Sequence, residues 1–425
     1  MNALLSQDAP AHDWYRFVLS FPPHLVRDYT HRFGLDGKQR LLDPFCGTGT
    51  TLVEAKKLGI PSVGLEAVGV SRLAASTKVD WSPDPDSLAA HAGLIAEKAL
   101  AILAADGISD EPMQDPPSEV PLRSLPAQTA KLLLKNSISP LPLHKVLVLK
   151  EALEGEHDAR FAAHEKLALA RVLPTDVGNL RFGPEVGVGR VKQDASVVSR
   201  WMACVLSMAD DIRHLGPSDS TPACAIEGDA REVGRYIEPK SVDAVITSPP
   251  YPNEKDYSRT VRLESVLLGY ISERSDLQAM KKELVRSNTR GVYRNDNDDE
   301  WVSGDAEVER IAASIEARRI ELGKESGFER MYHRVTKLYF GGMARHFASL
   351  GKVLRPGARL AYVVGDQASY LRVMIRTGQL LAEIAERSGY EVEAIDLFRT
   401  RHATATNEQL REEVLVLRWP GTAKA

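Results

Sequence analysis

The stretch Thr247-Ser-Pro-Pro-Tyr251 places a hydroxyl, two prolines and an aromatic ring in direct succession. It follows residues 241–246, a short run rich in Val and Ile that predicts a buried strand. Proline restricts φ and has no N–H, so the chain beyond Ser248 is expected to be stiff and extended. Open α/β sheets carry their active sites in such loops at the carboxyl ends of strands. A surface turn with an exposed tyrosine is the alternative interpretation of these five residues alone.

A second candidate site is the segment Asp43-Pro-Phe-Cys-Gly-Thr-Gly-Thr-Thr51. Apolar residues before Asp43 predict a strand, the Gly-Thr-Gly predicts a tight turn, and residues 51–58 predict a helix that ends at Gly59. Residues 61–66 predict the next strand, which ends at Glu66, 23 residues after Asp43. A ribose-binding carboxylate is expected about 20 residues after the start of such a βαβ unit.

The side chains of this segment indicate which ligand it suits. A phosphate-binding P-loop requires a lysine after the second glycine, and a dinucleotide fingerprint requires a third glycine where Leu52 stands. The two acids, Asp43 and Glu66, would repel phosphate and accept hydrogen bonds from hydroxyl or ammonium groups. S-Adenosylmethionine is cationic and carries ribose hydroxyls, so it fits this lining. A glycine turn with two solvent-facing acids is the alternative.

A third predicted strand end carries an acid, Asp229 after residues 223–228, and the next strand leads into Ser248. Further strands are predicted at 354–366, 391–398 and 413–418, with helices at 328–350 and 374–388. We therefore predict an α/β fold with a doubly wound, mostly parallel sheet and a C-terminal hairpin. Its carboxyl edge would bring the acids and Ser248 together.

Between the second and third of these strands, the pattern becomes helical. Residues 84–221 predict a mainly helical insertion, and residues 1–83 and 222–425 predict the domain that contains the sheet. The glycine-rich stretch 178–192 carries three cations and is either a phosphate contact or a solvated connector. The charged segment 255–335 includes the acidic run 295–300, which lacks the glycine of a calcium loop and is expected to be solvated.

The composition is that of an ordinary globular protein, with 425 residues, of which 43% are hydrophobic and 26% charged. No apolar run is expected to reach membrane-spanning length, and the N-terminus lacks the character of a signal peptide. The three scattered cysteines indicate neither a metal site nor disulfides, so we expect a cytoplasmic protein without a metal. With a net charge of −4, any nucleic-acid-binding surface must be local.

Together, the Asp43–Thr51 loop and Thr247–Tyr251 resemble the cofactor loop and the catalytic Ser/Asp/Asn-Pro-Pro-Tyr motif of the exocyclic-amino DNA methyltransferases of restriction–modification systems. The resemblance covers roughly 14–80 and 222–418. It implies a Rossmann-like methyltransferase fold and S-adenosylmethionine as the cofactor. It also implies a catalytic set formed by Ser248, Pro249, Pro250 and Tyr251. Serine at the first position is commoner in cytosine-N4 enzymes than in adenine-N6 enzymes, so cytosine N4 is the expected target.

The resemblance also implies a set of cofactor-binding residues. According to this resemblance, Asp43 and the loop would hold the amino-acid end of S-adenosylmethionine. Glu66 would bind its ribose hydroxyls, and Asp229 its adenine amino group. The arm 14–27 looks like the family's outlying cofactor motif. The full set is Phe21, His24, Asp43, Pro44, Phe45, Cys46, Gly47, Thr48, Gly49, Thr50, Glu66, Asp229 and Ala230.

The implied partners are double-stranded DNA and a cognate restriction endonuclease. Either 84–221 or 255–335 would contain the DNA-recognition region. The order of the motifs departs from the commonest cytosine-N4 arrangement, in which the catalytic motif precedes the cofactor loop. Three alternatives stay open: an adenine-N6 enzyme on the same scaffold, an RNA guanine-N2 methyltransferase, and a non-catalytic nucleic-acid-binding protein.

Overall fold

Seven segments rich in Val, Leu and Ile pair into one sheet in the computed structural model. The strands are β1 (Leu41–Asp43), β2 (Ser62–Glu66), β3 (Ala223–Glu227), β4 (Val242–Thr247), β5 (Leu354–Gly365), β6 (Glu391–His402) and β7 (Gln409–Arg418). Their spatial order is β3-β2-β1-β4-β5-β7-β6. The first five are parallel, and β7 runs antiparallel to both β5 and β6. The predicted α/β class, with a mostly parallel sheet and a C-terminal hairpin, is confirmed.

The structure describes residues 4–16, 20–113, 120–183, 185–216, 220–253, 255–402 and 409–421. They fall into two units. The sheet unit comprises Phe21–Ala67, Thr221–Asp256 and Ala279–Ala425, and the helical unit comprises Met1–Ser20, Val68–Ser220 and Tyr257–Gln278.

Apolar residues alternate between the two faces of the sheet, and each face buries its own cluster. The helices of this unit are α1 (Pro23–Phe33), α2 (Thr50–Lys57), α3 (Ala306–Glu321), α4 (Tyr332–Leu350) and α5 (Thr377–Arg387). Helices α1 and α2 contribute to the cluster that contains Ile246 and Val363. Helices α3, α4 and α5 contribute to the opposite cluster, which contains Val245 and Tyr362. The sheet is therefore covered by helices on both faces, as the doubly wound prediction requires.

The helical unit takes in more of the chain than the predicted insertion 84–221. Its N-terminal segment is fixed by two hydrogen bonds from residues far apart in sequence: Tyr15 Oη donates to Glu264 Oε1 (2.7 Å), and Trp14 Nε1 donates to Asp211 Oδ2 (2.7 Å). The arm 14–27 is thus divided, because Trp14 belongs to this unit while Phe21 belongs to the sheet unit. The α-helices within it are Ala9–His12, Gly69–Lys78, Pro85–Ala105, Ala127–Ala130, Pro140–Gly155, Ala162–Val172, Val198–Leu215, Tyr257–Thr260 and Arg262–Leu267.

The glycine-rich stretch 178–192 contains a short antiparallel hairpin, Leu180–Phe182 with Val186–Val188. Its Lys192 ammonium donates to the carbonyls of Thr175 and Gly178, at 2.5 Å each. This cation therefore stabilises the turn beneath the hairpin.

The residues of the helix Arg274–Lys282 are divided between the sequence ranges of the two units.

Helix Pro85–Ala105 corrects the expectation about apolar runs, since by length and composition alone it could cross a membrane. Asp84 caps its first turn by accepting a hydrogen bond from the Ser87 amide. The apolar residues of one stripe, spaced three or four apart, are buried in the helical unit: Leu88, Ala92, Ile95, Ala99 and Leu103. Such a stripe is typical of a helix that packs against a protein core.

The acidic run 295–300 differs only in part from the solvated loop that its composition predicted, since Asn295, Asn297 and Glu300 are exposed. It leads into a 3-10 helix, Asp298–Val302, in which Asp298 is buried. The Asp298 carboxylate binds Arg231 Nη1 at 2.6 Å and Arg345 Nη1 at 3.1 Å. The local composition could not predict the burial of Asp298, because the cations that neutralise it lie about 50 or more residues away in sequence.

Gly341 in α4 allows this segment to lie directly on the helix. A Cβ at Gly341 would be 1.8 Å from the Asp298 carbonyl oxygen. Gly341→Ala should therefore lower the free energy of unfolding by about 3 kcal/mol, because the close approach of two backbones leaves no room for a methyl group. Urea denaturation of the whole chain measures this change.

Gly93→Ala is the matched control, since Gly93 also lies inside a helix but a Cβ there would meet no atom within 4 Å. It should leave the free energy of unfolding unchanged or raise it by roughly 0.5–1 kcal/mol. Equal stabilities for the two variants would contradict the close packing of Asp298 on α4.

Candidate active site

The candidate site lies at the carboxyl edge of the sheet. Strands β1, β2, β3 and β4 are parallel, so the residues at their ends lie along one edge. These ends carry Asp43, Glu66, Glu227 and Thr247, and Asp229 follows two residues after β3. All of the residues predicted for catalysis and cofactor binding belong to the sheet unit.

The closest link in the site joins the loop that begins at Asp43 to the strand that precedes Ser248. Thr247 Oγ1 donates to Asp43 Oδ1 at 2.5 Å, and both residues are fully buried. The Phe45 amide also donates to Asp43 Oδ1, at 3.1 Å. The other oxygen, Asp43 Oδ2, is buried without a hydrogen-bond partner among the described residues. Burial raises the pKa of Asp43 to about 6, although the hydrogen bond from Thr247 lowers it.

The glycine loop after Asp43 has the conformation that its sequence predicts. Gly47 and Gly49 have φ values of +52° and +87°, which L-residues with a side chain rarely adopt. The Gly47 amide donates to Glu66 Oε2 at 2.9 Å, so the end of β2 holds the loop in place. The next turn begins α2 at Thr50, and Pro44, Cys46 and Thr48 are buried in the loop. Asp43, the loop and Glu66 are thus brought together as expected.

Two residues that support the loop, Gly64 and Thr51, were not among the predicted site residues. A Cβ at Gly64 would lie 2.6 Å from Cys46 Sγ, so glycine is needed where β2 passes beneath the loop. Thr51 Oγ1 donates to the Ile246 carbonyl at 3.1 Å, which fixes the start of α2 on β4. A glycine inside a strand pattern is the signal that could have identified Gly64.

Asp229 is held by an arginine that the sequence did not single out. Arg231 Nε and Nη2 form a fork on the Asp229 carboxylate, with distances of 2.6–3.0 Å. The same guanidinium binds Asp298 and donates to the Lys282 carbonyl at 2.5 Å. The Arg231 amide also donates to Asp229 Oδ1, at 2.8 Å, so both carboxylate oxygens already accept hydrogen bonds from Arg231.

A buried histidine connects the Asp229 loop to the glycine loop. His346 Nδ1 is 2.7 Å from the Ala230 carbonyl, and His346 Nε2 is 2.6 Å from Tyr362 Oη. Burial lowers the pKa of His346 to about 4, so the ring is neutral at pH 7. A carbonyl only accepts, so Nδ1 carries the proton and Nε2 accepts from the tyrosine. The Phe45 ring lies 4.9 Å from the His346 ring, and this contact positions the cofactor loop.

In the Ser-Pro-Pro-Tyr motif, the hydroxyl of Ser248 has a defined orientation. Ser248 Oγ donates to the Val363 carbonyl at 3.1 Å, across from β4 to β5. The hydroxyl hydrogen is therefore used in a hydrogen bond to the backbone, and the lone pairs of Oγ can accept a hydrogen bond from a substrate. Pro249 follows and can only accept through its carbonyl, since it has no N–H. The motif thus presents two acceptors in succession.

The ring of Tyr251 lies against the end of β5. A Cβ at Gly365 would be 3.0 Å from Tyr251 Cε2 and 3.4 Å from Glu412 Cγ. Gly365 therefore provides the space that the ring occupies, and the Glu412 side chain flanks it. Arg399 pairs with Glu412, and the two residues are opposite each other in β6 and β7. A glycine at the end of the strand pattern is the only sequence signal for this contact.

Phe21 and His24 contact other parts of the unit. Phe21 packs against the apolar cluster beneath α1, and the His24 ring lies 5.8 Å from the ring of Phe398. The contacts described for these two residues support the packing of α1 on the sheet. A role in cofactor binding for these two residues stays a prediction.

No protein-family model matches the chain. Among characterised proteins, it is similar to the type II methyltransferase M.BsoBI of Geobacillus stearothermophilus, with 25% identity over 441 residues. That match covers 93% of this chain and 82% of the relative. The type II methyltransferase M.AvaI of Nostoc sp. is 22% identical over 448 residues, which cover 98% of this chain and 88% of that protein.

Among solved structures, TrmN from Thermus thermophilus matches 97% of this chain and 52% of its own, with a TM-score of 0.32 and 11% identity. The fold assignment rests on the strand order of the sheet and not on this similarity. The sequence similarity, in contrast, extends over nearly the whole chain and includes the regions of both motifs. Over nearly its whole length, the chain is therefore similar to type II methyltransferases.

Proposed function

We propose that the protein is a site-specific DNA methyltransferase. It transfers a methyl group from S-adenosylmethionine to the N4 amino group of a cytosine that is flipped out of duplex DNA. Flipping costs a few kcal/mol and is required because the reacting nitrogen is otherwise inside the base stack. An adenine-N6 enzyme with the same site geometry is the alternative, since both targets are exocyclic amino groups.

The observation that supports this proposal best is the orientation of Ser248. The lone pair of an exocyclic amino group is conjugated into the ring, so the nitrogen is a poor nucleophile. Ser248 Oγ donates to the Val363 carbonyl, and its lone pairs can therefore accept one of the two N–H groups. The Pro249 carbonyl would accept the other. Two such acceptors favour tetrahedral geometry at the nitrogen and release the lone pair for attack on the methyl carbon.

The remaining residues of the motif would hold the base. Tyr251 would stack on the flipped ring, a contact that contributes about 1–3 kcal/mol per base. Its ring is already supported by Gly365. Pro250 would keep the segment rigid, so little ordering is needed when the base enters.

The side chains at the edge of the sheet fit the proposed cofactor. Asp43 Oδ2 is a buried oxygen without a described partner, and a cationic amino group would satisfy it. Glu66 would accept the ribose hydroxyls, and Asp229 the adenine amino group. When bound, S-adenosylmethionine supplies an activated methyl group on a cationic sulfur. The chain's role is to orient the methyl group in line with the amino nitrogen.

The similarity to type II methyltransferases supports a biological setting for this activity. We propose duplex DNA as the substrate, a cognate restriction endonuclease as the functional counterpart, and the cytoplasm as the compartment. Recognition of the target sequence would come from residues 84–221 or from the charged segment 255–335.

The chemical product distinguishes the two amino targets. We expect digestion of DNA treated with the protein and S-adenosylmethionine to yield N4-methylcytosine, identified by mass spectrometry of the nucleosides. N6-Methyladenine as the only product would favour the adenine alternative. Methyl transfer to RNA but not to DNA would contradict both.

Ser248→Ala should lower kcat by about 100-fold or more, because the amino group loses an oriented acceptor in the transition state. The dissociation constant for S-adenosylmethionine should stay unchanged. Single-turnover methyl transfer and calorimetric titration measure the two quantities. Ser241→Ala is the control, since Ser241 lies next to the opposite end of β4 and donates to the Glu238 carbonyl. Full turnover in Ser248→Ala would exclude the proposed role.

The affinity for S-adenosylmethionine should depend on pH through Asp43. Because burial raises the pKa of Asp43 to about 6, this carboxyl takes up a proton as the pH falls through 6. The neutral acid attracts a cation less strongly, so affinity should decrease below pH 6 and level off above it. Titrations at several pH values measure this change.

Asp43→Asn should weaken cofactor binding by roughly 10- to 100-fold at pH 7.5, in line with the loss of a charge-assisted hydrogen bond. It should also remove most of the pH dependence around 6. Asp36→Asn, at an exposed turn before β1, should change neither property. An unaltered pH dependence in Asp43→Asn would show that another group is responsible.

A further inference from the structure

The loop that follows β5, residues 366–376, is rigidly anchored. The Gln367 amide donates to the Ile375 carbonyl at 3.1 Å, and the Ile375 amide donates to the Gln367 carbonyl at 2.7 Å. Tyr370 is fully buried, and its hydroxyl donates to the Ser287 carbonyl at 2.7 Å. Its ring stacks on Tyr332, with centroids 4.9 Å apart. The base of the loop is therefore fixed on both sides.

The tip of this loop has an unfavourable backbone conformation. Leu371 and Arg372 have φ values of +54° and +65°, and neither is a glycine. Two successive side-chain-bearing residues in this region persist only where their surroundings enforce it. Leu371 packs against the apolar cluster under α4, which accounts for its position. The side chain of Arg372 is exposed, so no burial compensates for its strain.

Arg372 also differs from the neighbouring cations in its charge environment. Arg376 pairs with Asp366 at 2.5 Å, and Arg411 pairs with Glu413 at 2.8 Å. Arg286, close to the anchor at Ser287, pairs with Asp296 at 2.8 Å. Arg372 forms no ion pair with any residue in the described part of the chain. A fixed loop thus presents one exposed, uncompensated guanidinium.

The position of the loop suggests what this guanidinium binds. Strand β5 is parallel to β4, so residue 366 and Ser248 follow strand ends at the same edge of the sheet. We propose that Arg372 contacts the phosphate backbone of DNA next to the flipped base. This inference rests on the proposed function. Guanidinium groups bind phosphate through two parallel hydrogen bonds, and the rigid loop reduces the entropy lost when the contact forms.

Lys240 provides a matched control. It is also exposed, has a φ of +51°, and forms no ion pair with a described residue. It precedes β4, however, and therefore lies at the amino edge of the sheet, away from Ser248. The two residues share charge, exposure and backbone conformation, and differ in the edge at which they lie.

The test measures binding of the full chain to a mixed-sequence DNA duplex by fluorescence anisotropy at several salt concentrations. Arg372→Gln removes the charge and should lower the slope of log K against log salt by about 0.9, the effect of one phosphate contact. Binding should weaken on every duplex alike, and the dissociation constant for S-adenosylmethionine should not change. Lys240→Gln should keep the wild-type slope.

Glycine variants separate binding from folding. Arg372→Gly and Lys240→Gly should each raise the midpoint of thermal unfolding, because glycine relieves the left-handed conformation. Arg372→Gly alone should also weaken DNA binding, so that variant would be more stable and bind less tightly. A general loss of structure cannot produce this combination.

Three outcomes would overturn the inference. Arg372→Gln with the wild-type affinity and salt slope, in a protein that methylates DNA, would overturn it and leave the proposed function intact. An equal decrease of the slope in Lys240→Gln would overturn it as well, since the effect would then be one of overall charge. Wild-type protein that neither binds nor methylates DNA would overturn the proposed function together with this inference.

Discussion

The hydrogen bond between Thr247 and Asp43 is the interaction on which the site depends. It joins the last residue of β4 to the first residue of the glycine loop, and both are fully buried. A buried carboxylate is costly unless its oxygens are satisfied, and Asp43 Oδ2 has no partner among the described residues. The fold thus holds a destabilising group at the edge of the sheet, where a cationic ligand would compensate it.

Other parts of the site are fixed by buried charge and by close contacts. Arg231 binds Asp229 and Asp298 at once, which joins the proposed adenine site to a segment 67 residues further along the chain. Because Arg231 is itself buried, removal of both acids would leave its charge uncompensated. The neutral ring of His346 adds a second connection, from the Ala230 carbonyl to the ring of Phe45. These contacts preorganise the site before any ligand binds.

Glycine has three separate uses in this architecture. In the cofactor loop, Gly47 and Gly49 provide the left-handed backbone that the turn requires. In the strands, Gly64 and Gly365 leave room for Cys46 Sγ and for the Tyr251 ring. In α4, Gly341 allows the Asp298 backbone to approach the helix. Only the loop glycines belong to a motif. The glycines in the strands and in α4 are needed because another segment of the folded chain packs directly against them.

The sequence by itself determined the strands of the sheet and the glycine loop at Asp43, because strand patterns and glycine turns depend on neighbouring residues. The tertiary structure decided the pairings between distant residues. It showed that Asp298 is buried against Arg231, that Tyr251 rests on Gly365, and that His24 contacts Phe398. No local pattern encodes these contacts, since each depends on how segments far apart in the chain are brought together by the packing of the core.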